Sequence, residues 1–465
     1  MNFLRSFLIF LFFYNYYTQS VSLRYLEMFI LIYFLTEYLL VAKKLSLPTQ
    51  IFIFVFGYIN LSTIIANLFF GDIVFTFWRD YNQFYFYKGI CVLGVSISSM
   101  FIATSFFKKQ KHVIKPDIKI DYSFKKVNSI LTYVAIPICL FSLLYGDLNL
   151  MIDQGYENFT NTRKAGDMSR LLILSLSYFL PWLTISSFIL LIKGISNKYF
   201  LISIMLISLF ISLISGDRTG LSIALVGMLI SFNFFKNKKI NYFKLGLLAL
   251  ATLLLFNVVK NARSVGYSNF SLEYLVSSNT DNTDPLQEIA FGMSNQFQSM
   301  PGTIMLLDEG IENYRFGLDL VRSALQSLPF GTTILKELGH NPRERKSGMF
   351  VQPTQWMSYH LNEREEMSGV GFLMLAEIFL NFGFIGAIFI PLLIVYNIEN
   401  SYQNILTTNK KLKVSELFIK LVFFLQILIW IRNDSTSLIF TLFLVFSLFF
   451  IAKISKTKKT SLLNV

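Results

Sequence analysis

Charged residues are scarce in this chain of 465 residues, at 15% of the total, against about 25% in typical soluble domains. Such a deficit excludes a soluble globular enzyme and an intrinsically disordered chain. Cysteine is also rare, and because Cys91 and Cys139 both lie within apolar runs, they predict neither a zinc cluster nor a disulfide scaffold. The chain also lacks a P-loop, a dinucleotide-binding fingerprint, a nucleophile elbow and a His-x-x-x-His metal site.

Apolar and aromatic residues dominate instead, at 54% and 17% of the chain. They fall in long runs, which predict an all-α polytopic membrane protein with about 12 transmembrane helices. The predicted spans cover residues 3–19, 25–42, 50–70, 88–107, 127–145, 170–192, 199–214, 219–235, 243–260, 369–396, 415–431 and 435–452.

Lysine-rich segments alternate with less basic segments between the predicted spans, as in the seven lysines of residues 108–126. Because basic residues collect in cytoplasmic loops, the alternation predicts that both termini are cytoplasmic. It also accounts for the net charge of +13 without a nucleic-acid partner. The predicted organisation is a bundle of spans 1–9 in residues 1–260, a large outer loop in 261–368, and spans 10–12 in 369–465.

Arginine has the opposite distribution. Of the 28 lysines 22 fall on the predicted inner side, whereas of the 13 arginines only Arg5 does. The guanidinium group binds phosphate or carboxylate in a bidentate manner. The outward arginines therefore indicate either binding of anionic groups or pairing with the acidic residues of the large loop.

Arg218 lies in the turn SGDRTG, residues 215–220, between two short predicted spans. At about 1.5 Å per residue these spans barely cross a core of about 30 Å. We therefore expect Arg218 at or just below the outer membrane face, which is the depth of a lipid-linked phosphate. The alternative is a capped hairpin with a snorkelling arginine.

The large loop contains two predicted amphipathic helices. One begins at Asp284-Pro285, a typical start signal. The other covers 316–327, with Arg315 and Arg322 nearby. We expect both helices to lie on the membrane surface as a lid and to pack against the bundle. The apolar face of the second helix comprises Leu318, Val321, Leu325 and Leu328.

The segment 338–366 is the densest in residues suited to catalysis, although a solvated loop would have a similar composition. Trp356 and Tyr359 are suited to stack on sugar rings, and two of the three histidines lie here. Histidine transfers protons near neutral pH. The residues singled out are His340, Arg343, Arg345 and His360.

Glu377 lies about two turns inside the outer edge of the tenth predicted span. An ionised glutamate costs a few kcal/mol there unless it is paired, so Arg218 or Arg263 is the expected partner. The alternative is a protonated glutamate bonded to a neighbouring helix. Asn381 lies one turn further on the same face, and Gly383 with Gly386 predicts close helix packing.

The SGDRTG turn, the long outer loop and the segment GVGFLMLAEIFLNFGFIGA at 369–387 together resemble the O-antigen polymerase (Wzy) family of oligosaccharide repeat-unit polymerases. The resemblance covers about residues 200 to 400. It implies an inner-membrane enzyme, similar to metal-independent C-type glycosyltransferases, that acts at the periplasmic face. Such enzymes join undecaprenyl-diphosphate-linked oligosaccharides en bloc, with the growing chain as donor, in some cases with a chain-length regulator as partner.

The resemblance carries over Arg218 and Glu377, which lie in matching motifs. We expect the arginines to bind the diphosphate, a histidine to act as base and the glutamate to orient an arginine or the acceptor, without a metal or other cofactor. Some family members have an outer-loop arginine followed eleven positions later by glycine, a spacing absent here, so the loop residues are chosen on their chemistry alone. The expected site residues are Arg218, Arg263, Arg343, Arg345, His340, His360 and Glu377.

Three alternatives remain open. A flippase for lipid-linked oligosaccharides binds the same ligand, but it needs more polar residues at the membrane centre. An O-antigen ligase uses the same donor with a lipid A-core acceptor, and the AE-x-x-x-NFG segment favours the polymerase over it. A non-enzymatic scaffold of an export complex would leave the arginine distribution unexplained.

Overall fold

The computed structural model describes residues 2–70, 83–107, 118–144, 153, 168–194, 197–214, 218–236, 297, 299–326, 328, 330–337, 373–407, 412–432 and 435–461. These residues are mostly helical. Two strands of two residues each, β1 (Ile118–Lys119) and β2 (Leu412–Lys413), pair in parallel and are a small departure from the predicted all-α fold. The helices are α1 (Asn2–Thr18), α2 (Leu23–Ala42), α3 (Leu47–Phe70), α4 (Gln83–Thr104), α5 (Tyr122–Leu144), α6 (Met168–Ile192), α7 (Lys198–Ile214), α8 (Arg218–Lys236), α9 (Ser299–Asp308), α10 (Leu318–Gln326), α11 (Gly331–Glu337), α12 (Met374–Thr407), α13 (Val414–Trp430) and α14 (Ser435–Ser461).

Each predicted span except 243–260, which lies outside the described residues, coincides with a helix. Among the described helices, α2, α3, α4 and α12 are long and apolar enough to cross a membrane by themselves. Two helices run beyond their predicted ends: α12 continues to Thr407 and α14 extends through the basic tail to Ser461. The number of crossings remains a prediction.

The loop 261–368 contains two described helices that its sequence did not predict, α9 and α11, and one that it did, α10. α9 begins at Ser299, just after the first predicted amphipathic helix, of which most residues lie outside the described part of the chain. α10 confirms the second amphipathic helix.

The chain divides into two compact units. Unit 1 comprises Met1–Pro116, Asp284–Asn409 and Gln426–Phe443, and unit 2 comprises Asp117–Thr283, Lys410–Leu425 and Leu444–Val465. The boundaries that we predicted between bundle and loop, at residues 260/261 and 368/369, fall outside the described residues.

Unit 2 is built around α5, α6, α7 and α8, which pack on one another. Polar contacts tie its elements together: Ser186 Oγ donates to Asn128 Oδ1 at 2.7 Å, and Lys193 Nζ donates to the Ile118 carbonyl at 3.0 Å. α7 and α8 have 17 and 19 residues, and they confirm the pair of short helices predicted on either side of the SGDRTG turn.

The centre of unit 1 is α4, which contacts α1, α9 and α12. Small side chains let these helices approach closely. A Cβ atom at Gly94 would lie 2.6 Å from the ring of Phe12, so the ring occupies the space that a larger residue would need. Ser96 Oγ donates to the Ala387 carbonyl of α12 at 3.0 Å.

A buried ion pair joins α1 to α2 inside unit 1. Arg5 Nη2 lies 2.5 Å from Glu37 Oε2, and Arg5 Nη1 donates to the Phe101 carbonyl of α4 at 2.7 Å. Both side chains are almost fully buried. Because a lone charge in such a place is strongly unfavourable, the pair holds three helices in one arrangement.

Replacing Glu37 with leucine removes the carboxylate and leaves the Arg5 guanidinium group buried. We expect this change to lower the free energy of unfolding by about 3–5 kcal/mol, measured as a lower midpoint of thermal unfolding of the detergent-solubilised chain. The double variant Arg5→Met, Glu37→Leu should recover most of the loss, because neither buried charge is then present. A double variant as unstable as Glu37→Leu alone would contradict this.

Candidate functional site

The described structure contains only part of the predicted site. Glu377 is fully described, and Arg218 begins α8, although its side chain lies outside the described part. The predicted pairing of Glu377 with Arg218 or Arg263 therefore remains a prediction. The remaining predicted residues lie outside the described chain: Arg263, His340, Arg343, Arg345 and His360.

Glu377 lies in the first turn of α12 and is only 1% exposed. Its carboxylate accepts hydrogen bonds from Trp430 Nε1 at 2.7 Å, from the Ser435 amide at 2.8 Å and from Ser435 Oγ at 2.6 Å. Ser435 is the first residue of α14, and amide donors at a helix N-terminus favour a negative charge. Through these hydrogen bonds Glu377 links the start of α12 to the end of α13 and to the start of α14.

α12 is interrupted at Gly383, whose φ of 56° and ψ of −145° are accessible almost only to glycine. In an unbroken helix, the carbonyls of Leu380 and Asn381 would accept from the amides four residues later. Here they accept from the amides of Arg315 and Phe316, each at 3.0 Å. The break therefore provides a docking edge for the segment that precedes α10.

The side chain of Asn381 completes this docking. Its Oδ1 accepts from the Gly317 amide at 2.9 Å, and its Nδ2 donates to Asp319 Oδ2 at 3.1 Å and to the Glu377 carbonyl at 2.8 Å. One amide group thus links α12 to both the turn before α10 and the first turn of α10.

The polar side of α10 faces the protein. Asp319, Arg322 and Ser323 are fully buried. Asp319 Oδ1 accepts from Arg315 Nη1 at 2.8 Å and lies 3.7 Å from Arg322 Nε. Asp319 and Arg322, three residues apart, share a face of α10, whereas Arg315 reaches Asp319 from the turn before the helix. Each arginine lies close to a carboxylate that offsets the cost of its burial.

The apolar side of α10 faces outward. Val321 is 51% exposed and Leu328, just after the helix, is 42% exposed, while Leu318 and Leu325 are half-buried. We expected the helix both to lie on the membrane surface and to pack on the bundle. The packing uses the charged face rather than the apolar one, because the partners are the polar groups of α12 and the first residue of α14.

These contacts form one continuous group, which we call the outer polar cluster: Arg315, Asp319, Arg322, Ser323, Glu377, Asn381 and Ser435. Ser323 Oγ lies 3.2 Å from Ser435 Oγ, which in turn donates to Glu377. Sequence reasoning singled out Glu377 and noted Arg315, Arg322 and Asn381, but it missed Asp319, Ser323 and Ser435. The spacing of Arg315, Asp319 and Arg322 was the signal available for Asp319.

Within the described ranges, no group of three or more histidine, cysteine or acidic residues is arranged to hold a metal ion. The outer polar cluster instead combines two guanidinium groups with hydroxyl, amide and carboxylate groups. Because all of these side chains are almost fully buried, the cluster is suited to fixing the loop segment 315–323 against α12.

Comparison with known protein families matches residues 1–461 to a model of the O-antigen polysaccharide polymerase Wzy. The chain belongs to this family. The comparisons with curated proteins and with solved structures found no match. The Wzy resemblance inferred from residues 200 to 400 is confirmed, and the match extends over the first 200 residues, where the sequence alone offered only a general likeness.

In this Wzy chain the AE-x-x-x-NFG segment has a clear structural explanation. Glu377 fixes α14, Asn381 binds the segment 317–319, and Gly383 creates the break that binds residues 315 and 316. Gly386 also has a steric role, since a Cβ atom there would lie 2.9 Å from the Ile378 carbonyl. These contacts lie within α12 itself, so the close packing between helices that we predicted for both glycines remains a prediction.

Replacing Asn381 with leucine keeps a side chain branched at Cγ but removes the amide that holds the segment 317–319. We expect the docked segment to open more often, so that a cysteine placed at buried Ser323 reacts with a maleimide about tenfold faster, a change of about 1.4 kcal/mol.

Asn397→Leu is the matched control for this test. Asn397 lies on the same helix and donates to the carbonyl four residues earlier, as Asn381 does, but it is exposed. Labelling of the parent chain, with Cys91 and Cys139 only, gives the background. Equal labelling rates for the Asn381 and Asn397 variants would refute the docking role.

Proposed function

We propose that this Wzy chain polymerises undecaprenyl-diphosphate-linked oligosaccharide repeat units into O-antigen or a related surface polysaccharide. Membership of the family supports polymerisation in general, and the apolar helices support a multi-pass membrane location. The observation that carries the proposal is the outer polar cluster. There the AE-x-x-x-NFG segment of α12 meets the part of the large loop that contains Arg315 and Asp319, within unit 1.

The proposed topology has twelve spans in the bacterial inner membrane, with both termini in the cytoplasm and the loop 261–368 in the periplasm. The alternation of lysine-rich segments supports this orientation. In this proposed orientation the outer polar cluster would lie at the periplasmic end of unit 1, where we propose that lipid-linked repeats are joined.

In the proposed reaction, a hydroxyl oxygen of the lipid-linked acceptor repeat attacks the anomeric carbon of the growing chain. The bond from that carbon to the diphosphate oxygen breaks, and the electron pair leaves with undecaprenyl diphosphate. A base accepts the hydroxyl proton, and the anomeric configuration inverts. The growing chain is thus transferred en bloc.

The leaving diphosphate gains negative charge, which arginine side chains are suited to stabilise. We assign this role to Arg218 and Arg263, with Arg343 and Arg345 as further candidates. His340 or His360 would be the base. Neither role requires a metal ion, and a chain-length regulator is a candidate partner in the membrane.

Glu377 has a positioning role in this proposal. Its carboxylate orients Ser435 and Trp430, and through Ser435 it reaches Ser323 on α10. Because Glu377 connects α10, α12 and α14, it is well suited to hold the loop 261–368 in the geometry that the acceptor requires.

Deletion of the gene should remove the ladder of polymerised surface glycan on a gel and leave core capped with a single repeat. Complementation with the wild-type chain should restore the ladder. Loss of the single repeat as well would overturn the proposal in favour of a ligase or a flippase.

The variant Glu377→Gln should reduce polymer formation by about tenfold or more, because the amide cannot accept from both the Ser435 amide and hydroxyl as the carboxylate does. The measurement is the ladder intensity at equal membrane level in the complemented deletion strain.

Glu399→Gln is the control for this change. Glu399 is equally buried on α12. Its Oε2 accepts from the Ser46 amide at 2.9 Å and from Ser46 Oγ at 2.6 Å, and its Oε1 accepts from Gln403 Nε2 at 2.8 Å, so glutamine removes one acceptor oxygen here too. If both variants lost activity equally, the effect would be one of helix packing and the site role of Glu377 would be wrong.

A further inference from the structure

A second group of chemically suited side chains lies at the end of unit 1 where α1 and α9 end and α4 begins. Lys88 Nζ lies 2.5 Å from Asp308 Oδ2, with the ring of Phe84 4.4 Å from the ammonium nitrogen and the ring of Tyr16 at 4.8 Å. This ion pair is enclosed by aromatic rings and is not part of the outer polar cluster.

The aromatic wall continues from Tyr16 to the docked loop. Ring centroids are 5.0 Å apart for Tyr16 and Tyr17, 4.8 Å for Tyr16 and Phe384, and 5.5 Å for Phe384 and Phe379, which lies 6.2 Å from Tyr314. Tyr17 is 66% exposed and Tyr314 is 42% exposed. Two accessible tyrosines thus stand on a packed layer of rings that holds them in place.

Acidic and amide side chains accompany these rings. Asp308, Glu309 and Asn313 are exposed, and Glu309 Oε1 accepts from the Tyr85 hydroxyl at 3.3 Å. Like any tyrosine, Tyr314 is a hydrogen-bond donor at neutral pH, and burial, together with the nearby Tyr17 and Asp308, raises its pKa further.

Interfacial tyrosines in membrane proteins also anchor the chain at the lipid headgroups. Basic residues usually accompany such anchors, because they attract anionic lipids. Here the one described lysine in the group is engaged by Asp308, and the exposed residues Glu309 and Asn313 add no positive charge. Aromatic rings together with carboxylates match a saccharide better than a lipid headgroup. The C–H faces of a sugar pack on aromatic rings, and its hydroxyl groups donate hydrogen bonds to carboxylate oxygens.

We propose that Tyr17, Tyr314 and Asp308, the saccharide platform, bind the oligosaccharide part of the lipid-linked repeat. The tyrosine rings pack against sugar faces, and Asp308 accepts hydrogen bonds from sugar hydroxyls. This inference rests on the proposed polymerase function and adds the surface that recognises the saccharide.

The signature segment of α12 places Tyr314 in the platform. Tyr314 directly precedes Arg315, whose amide is held by the Leu380 carbonyl. A Cβ atom at Gly383 would lie 3.3 Å from the Tyr314 ring, so glycine at the break leaves room for the ring. The platform and the outer polar cluster are therefore positioned by the same docked loop.

The test compares leucine and phenylalanine variants at both tyrosines, because leucine keeps apolar bulk but loses the flat ring, whereas phenylalanine keeps the ring. The probe is the lipid-linked single repeat extracted from the deletion strain, and the readout is its polymerisation by membranes containing each full-length variant. Tyr17→Leu and Tyr314→Leu should each raise the apparent KM about three- to tenfold with kcat little changed. The phenylalanine variants, which keep the ring and lose only the hydroxyl, should raise the apparent KM less than the leucine variants do.

Tyr199→Leu is the control, since Tyr199 is a tyrosine on α7 that is about as exposed (70%) as Tyr17. Leucine variants with a wild-type KM, or an equal effect from Tyr199→Leu, would overturn the platform. If a leucine variant fails to reach the membrane, Asp308→Asn replaces it, with the same expected rise in KM and the same refutation by a wild-type value.

The polymerase function and the platform can fail separately. Inactivity of wild-type membranes toward the extracted repeat would refute the polymerase function. Binding of the same repeat to the purified full-length chain then tests the platform directly, and equal affinity of wild type and Tyr314→Leu would refute it.

Discussion

The break of α12 at Gly383 turns two backbone carbonyls away from their own helix, and within an apolar bundle such carbonyls require donors from elsewhere. The amides of Arg315 and Phe316 satisfy this requirement. Once these bonds form, the direction of the following residues is set, so that α10 meets α12 through its charged face and Tyr314 lies against the break. The outer polar cluster and the saccharide platform both depend on this one irregularity of a helix.

The same physical constraint governs the charges buried in unit 1. Glu377 and Glu399 lie on one helix, and each accepts from the amide and hydroxyl of a serine at the start of another helix. Arg5 and Glu37 pair directly. Buried charges with such partners restrict the helices to one arrangement, since any other packing would leave a charge without its partner. A rigid frame of this kind suits a proposed transfer reaction in which two large lipid-linked molecules must meet at a defined geometry.

Several parts of the candidate site could be predicted from helical spacing. Glu377 and Asn381 were expected on one face of a helix, and α10 was expected to be amphipathic. The choice between the two faces of α10 could not be made in this way. An apolar face is expected to point inward in a soluble protein, whereas in a membrane protein either the lipid or the bundle can cover it. The polar partners offered by Asn381 and Ser435 decided that the charged face is the buried one.

The amino-acid sequence by itself determined the helices, because a long apolar run must satisfy its backbone hydrogen bonds within the run, as a helix does. It carried the motifs that identify the Wzy family. It also placed glycine at 383, where the backbone needs a conformation that other residues disfavour. Only the tertiary structure decided which groups meet: Trp430 and Ser435 at Glu377, Asp319 at Asn381, and the ends of α1, α4 and α9 around Lys88. These contacts join residues far apart in the chain, and they follow from the packing of whole helices rather than from local spacing.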